Sequence, residues 1–232
     1  MGRCYGFCVG AMLVLFMAGM MPGMSMNASA EYQERTMCKR GVYGVDLTDW
    51  YVYSIGGLSE EVTRDVAVVS GTYDASNTVP NSIGWNGHWL VSDESFIGGL
   101  DFSATVTVNS ATGTEWMAGI GVVMSESASV QLENSITWGS RIYTSSGENA
   151  IGFYYVYNPY HSQGTLDPTD VVLGQSVVYR MVAYEGLVAL YVNGNLCGSL
   201  ALDTDELNVF LYSAVKYEGT SMSVTFDSVT VM

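Results

Sequence analysis

From Asp49 to the end of the chain, apolar and polar residues alternate with a period of two. Phe102, Ala104, Val106 and Val108 are separated by Ser103, Thr105 and Thr107, the pattern of a strand with one buried face. Ala118, Ile120, Val122 and Met124 make one face of the next strand. Gly119 and Gly121, on its other face, leave space above the sheet. Val177 to Tyr184 and Leu187 to Val192 flank Glu185-Gly186, and Asn193-Gly194 starts another turn before Asn195 to Leu200. Asn-Gly is a strong hairpin signal because both central residues of a type I′ turn need positive φ. Leu207 to Ser213 and Met222 to Val231 supply two more strands. No long stretch spaces its apolar residues by three and four, so helices are minor. The pattern predicts an all-β domain.

The first thirty residues are of another kind. Arg3 gives a small positive start, and the 14 residues from Cys8 to Met21 are all apolar or small. Pro22 and Gly23 end that run, and Ala28-Ser29-Ala30 presents the small-x-small pattern that signal peptidases cut. A membrane span needs roughly 20 apolar residues, so residues 1–30 read as a signal peptide cleaved after Ala30, the alternative being an uncleaved anchor. Residues 31–45 form a polar lead-in, and 46–232 a single domain with no linker, low-complexity run or internal repeat. The expectation is a secreted protein, extracellular or at the cell surface.

Five strings in order resemble the concanavalin-A-like jelly-roll superfamily, particularly its laminin-G-like and 3-keto-disaccharide-hydrolase-like domains. They are Asp49-Trp50-Tyr51-Val52 with Gly56-Gly57, Gly99-Leu100-Asp101-Phe102-Ser103-Ala104-Thr105-Val106, and Met117-Ala118-Gly119-Ile120-Gly121-Val122. Tyr179-Arg180-Met181-Val182-Ala183-Tyr184 through Leu190-Tyr191-Val192-Asn193-Gly194 is the fourth, and Val224-Thr225-Phe226-Asp227-Ser228-Val229-Thr230-Val231 the last. The resemblance implies a two-sheet antiparallel sandwich. It does not fix an activity, because this scaffold hosts lectins, glycosidases, adhesins and structural domains alike.

Charge narrows the partners. The chain carries 8 Lys and Arg against 23 Asp and Glu, a net charge of −15, which repels phosphate backbones and argues against nucleic acid. Cys4 and Cys8 leave with the leader, so Cys38 and Cys197 are the pair left for one disulfide, the alternative being two buried thiols.

Candidate chemistry is sparse. Laminarinase-type glucanases of the superfamily carry Glu-x-Asp-x-(x)-Glu on one strand, since alternation sets the carboxylates on one face. The chain has no such string. Glu115 is the best lone carboxylate, without an obvious sequence partner; His88 and His161, the only histidines, read as loop residues. No catalytic residue is assigned, and the expectation is a non-catalytic module rather than an enzyme. Carbohydrate is the expected ligand, because sugar C–H faces stack on aromatic rings while hydroxyls pair with amides and charges. The candidate ligand residues are Trp85, Asn86, Trp89, Arg141, Tyr155, Tyr157, Asn158 and Tyr160. Trp85, Trp89 and Tyr160 are taken as exposed loop residues, and the bland reading of most of these aromatics is core. The resemblance also brings calcium, with Asp167, Asp170, Asp203 and Asp205 as the acidic turns to hold it. The alternative role is a structural subunit of a surface layer, fibre or biofilm matrix, self-associating through edge strands or the lead-in.

Overall fold

A computed structural model describes residues 45–76, 85–124, 135–145, 148–157, 162–167, 172–202 and 206–232. One 3-10 turn (Leu47–Asp49) precedes β1 (Tyr51–Ile55), β2 (Leu58–Val62), β3 (Val66–Thr72), β4 (Trp85–Val91), β5 (Phe96–Ile97) and β6 (Leu100–Thr112). There follow β7 (Glu115–Val123), β8 (Ser135–Ser145), β9 (Glu148–Tyr157), β10 (Ser162–Asp167) and β11 (Ser176–Tyr184). The last strands are β12 (Leu187–Val192), β13 (Asn195–Ala201), β14 (Glu206–Lys216) and β15 (Ser221–Val231). The larger sheet runs β1-β4-β14-β7-β8-β9-β10 with β5 beside β14, and the smaller runs β13-β12-β11-β6-β15-β3-β2. The paired strands are antiparallel throughout.

Alternation builds the core as the sequence predicts. Phe102, Ala104, Val106 and Val108 of β6 turn inward beside Met222, Val224 and Phe226 of β15, and meet Trp116, Ala118, Ile120 and Val122 of β7 from the other sheet. Trp138 and Tyr179 pack edge to face across the two sheets, centroids 6.0 Å apart. Burial pushes the Tyr179 phenol up, against the lowering effect of its hydrogen bond to Ser140. Both predicted hairpin turns form: Glu185 and Gly186 have φ of 49° and 78°, and Asn193 and Gly194 have 47° and 81°. Both residues of each pair are left-handed, as a type I′ turn demands. His88 departs from expectation: it lies in the middle of β4 and is buried, not in a loop.

Candidate functional site on the outer face of the larger sheet

In β4, β14, β7 and β8 the core takes Leu90, Leu211, Ile120 and Ile136, so the alternate residues turn to the sheet's outer face. Register aligns them in rows. One row is Tyr51, Val91, Phe210, Gly121 and Thr137; the next is Tyr53, Trp89, Tyr212, Gly119 and Gly139. Ile55, Gly87, Ala214, Met117 and Arg141 make a third, and Trp85, Lys216 and Glu115 lie at the end.

The glycines explain how so many rings fit. A Cβ on Gly87 would run into the Trp89 indole, and one on Gly121 into the Phe210 ring. The rings therefore lie over bare backbone. Gly119 and Gly139 face each other across β7 and β8, each blocked from a side chain by the other strand's backbone. Trp89, Val91, Val123, Phe210 and Tyr212 form a second apolar cluster on this face, with Tyr51, Tyr53, Ile55 and Met117 packed against it. Tyr53 and Trp89 lie 5.4 Å apart between centroids. Trp89 Nε1 and Thr137 Oγ1 are buried there without a hydrogen-bond partner.

The accessible end of the face carries charge. Arg141 Nη2 donates to Glu115 Oε2 at 3.0 Å, with both side chains partly exposed. The Arg141 guanidinium also lies 5.8 Å from the Trp85 ring centroid, and Lys216 Nζ lies 5.6 Å from it and 4.7 Å from the Tyr217 ring. Among the described residues, Arg64, Arg141 and Arg180 each lie within 4 Å of a carboxylate oxygen, whereas Lys216 makes no such ion pair, although Glu115 is its register partner on β7. Two cations thus share one aromatic platform with a carboxylate beside it.

The expected ligand residues divide accordingly. Trp85, Trp89 and Arg141 reach this face, but Trp85 and Trp89 stand in β4 rather than in a loop, and Trp89 is only 2% exposed. Asn86 is fully buried and does not reach this face: its Oδ1 accepts from the Asp74 amide, and its Nδ2 donates to Asp74 O at 3.1 Å. Tyr155 and Tyr157 sit in β9 opposite Trp138 and Ile136. Asn158, Tyr160, Asp170, Asp203, Asp205 and Cys38 lie outside the described residues, and so does His161. Asp167 ends β10 and Cys197 lies in β13. Among the described residues no three His, Cys, Asp or Glu side chains converge as a metal site requires, and no helix is long and apolar enough to cross a membrane. Sequence reasoning missed Lys216, Tyr53 and Tyr212, which become neighbours only through the β1-β4-β14 pairing; their signal was a Tyr or Lys on the non-core parity of a strand.

No protein-family model and no curated protein matches the chain. Solved structures do. A functionally unknown protein from Saccharomyces cerevisiae has a TM-score of 0.62 at 13% identity, covering 81% of this chain and 98% of that one. An alginate lyase from Corynebacterium sp. scores 0.52 at 13% identity, covering 82% and 96%. A GlcNAcα1-4Gal-releasing endo-β-galactosidase from Clostridium perfringens scores 0.52 at 10% identity, covering 82% of this chain and 60% of that one. Further alginate lyases share the shape at 0.50 and 0.51. These neighbours correct the expectation of a non-catalytic module: the architecture read as that of a binder is the architecture of polysaccharide-cleaving enzymes, and a missing Glu-x-Asp-x-Glu string excludes one catalytic arrangement only. What the likeness shows is the fold: this chain is a two-sheet antiparallel jelly-roll sandwich.

Proposed function

We propose that the chain depolymerises an acidic polysaccharide laid across the outer face of the larger sheet, with a uronate carboxylate held by Arg141 and Lys216. The observation that carries this reading is the convergence at Trp85: two cations over one ring, with Glu115 ion-paired to Arg141 and in register with Lys216. In a chain of net charge −15, such a place offers an anionic sugar both charge neutralisation and a stacking surface. The similar shape of alginate lyases supports the same direction.

β-Elimination suits these groups. Glu115 takes the proton from C5 of the uronate, and the released electron pair forms the C4–C5 double bond. The bond from C4 to the glycosidic oxygen breaks, and that oxygen leaves with a proton from solvent water, while Glu115 later returns its proton to solvent. Arg141 and Lys216 hold the carboxylate on which negative charge builds. Trp85 supports the sugar face. Polymers of this kind are met outside the cell, so the proposal includes export directed by residues 1–30 and a Cys38–Cys197 disulfide suited to an oxidising compartment.

Incubating the folded chain with alginate, polygalacturonate and neutral galactan tests it. The expected result is the ultraviolet absorbance of an unsaturated uronate with an acidic polymer only, lost in Glu115→Gln. New reducing ends without that absorbance would replace elimination by hydrolysis, and intact polymers throughout would overturn the reading.

A further inference from the structure

We propose a second binding site, separate from the outer face: the open edge between the two sheets takes a small apolar molecule with an ammonium head, seated on the Glu60 carboxylate in front of the buried His88. At this edge β1 of the larger sheet meets β2 of the smaller, and the two do not close. They leave a cleft of about 310 Å³ lined by Leu47, Trp50, Val52, Val62, Leu90 and Glu60, a volume within the range of small-molecule sites.

Glu60 stands at a position meant for the core. Its flanking alternates Leu58 and Val62 and its register partner Val69 all turn inward. A carboxylate therefore replaces the apolar residue that would close the sandwich. His88 faces it from β4 with Nε2 3.6 Å from Glu60 Oε2, too long for a hydrogen bond. The imidazole is 1% exposed and neither ring nitrogen has a hydrogen-bond partner. Its cross-strand neighbours Ser54 and Ser213 are uncharged, and Ser213 Oγ is likewise unpartnered. Desolvation by burial holds the His88 pKa below its ordinary value, with Glu60 opposing, which keeps the ring neutral.

The head group follows from the inventory. The Glu60 carboxylate is an acceptor lining an apolar cleft, and the buried His88 imidazole behind it brings no positive charge to compete for that carboxylate. An ammonium brings three donors and no acceptor, an alcohol brings one donor, and an anion is repelled. The tail packs on Trp50, Leu90 and Val62. An inward charge on an edge strand also guards against sheet extension, but that role needs Glu60 alone and leaves His88 without a reason.

Calorimetric titration of the full chain with 2-phenylethylammonium and with 2-phenylethanol tests the site. Saturable ammonium binding is expected, at least tenfold tighter than the alcohol and at least tenfold weaker in Glu60→Gln. A second variant, Val52→Phe at the exposed mouth, is expected to lose binding while keeping the wild-type circular dichroism spectrum. Alcohol binding as tight as ammonium, unchanged binding in Glu60→Gln, or no saturable heat would each overturn the proposal. None of these readouts depends on polysaccharide cleavage.

Discussion

The ring of Phe210 lies over the backbone of Gly121, its cross-strand partner on β7, and occupies the space a side chain there would need. Gly121 has no left-handed φ, so its lack of a side chain serves packing alone. Gly121→Ala is expected to overpack the face and cost about 1–3 kcal/mol, read as a lowered urea midpoint. Because the two nearest clashes are with one ring and the third is with the Ile136 carbonyl, Phe210→Leu in the same chain should recover part of the loss but not all of it, a non-additivity that a double-mutant cycle measures.

Asn86 ties β4 to the residues after β3. Removing its amide in Asn86→Ala leaves the Asp74 N–H and C=O without their partner, and an orphaned buried polar group costs about 1–3 kcal/mol. Chemical unfolding should show that loss, while cleavage per folded molecule stays at the wild-type rate. A drop in turnover without a drop in stability would restore Asn86 as a ligand residue.

The strands were legible because burial on one face writes itself into the sequence at period two: Phe102 to Val108 and Ala118 to Val122 needed no tertiary information. The turns at Glu185-Gly186 and Asn193-Gly194 were legible for an equally local reason. The outer face was not. Trp85, Lys216, Glu115 and Arg141 come from four strands, and their meeting depends on the pairing order β4-β14-β7-β8, which alternation leaves open. The burial of Asn86 was equally illegible, because an amide next to tryptophan in the sequence looks the same on either face of a strand. The expectation of a non-catalytic module rested on carboxylates sought along one strand, and the polysaccharide-cleaving neighbours of the same architecture overturn that ground. Glu115 has its partner, Arg141, on the next strand.

The assignment at Trp85 separates chemistry from binding. Glu115→Gln should lower kcat by about 10²–10⁴-fold, the usual worth of a positioned base, with KM little changed. Lys216→Met removes charge but keeps length, and should raise KM for the acidic polymer more than it lowers kcat. Added salt should raise the wild-type KM more steeply than that of Lys216→Met, since the variant has lost a screened attraction. Equal kinetics for Lys216→Met and wild type would remove Lys216 from the site.

His88 predicts a loss of stability in mild acid, and the sign follows from where protons bind. In the unfolded chain an imidazole takes up its proton near its ordinary pKa of 6.5, whereas burial lowers the folded pKa of His88. Above pH 6.5 both states are neutral at this residue, and His88 contributes no pH dependence. Below it the unfolded state binds the extra proton first, so stability falls by at most about 1.4 kcal/mol per pH unit until the folded imidazole protonates as well. The difference between urea-unfolding free energies of wild type and His88→Gln isolates this term from the carboxylates, which titrate in both proteins. That difference should be flat above pH 6.5, shift against wild type below it, and then level off. Glu60 opposes the burial effect by attracting the proton. In Glu60→Gln the folded pKa of His88 should therefore fall further, and the decline should continue at pH values where the wild-type difference has already levelled. A difference curve without slope would mean that His88 reaches solvent in the folded state.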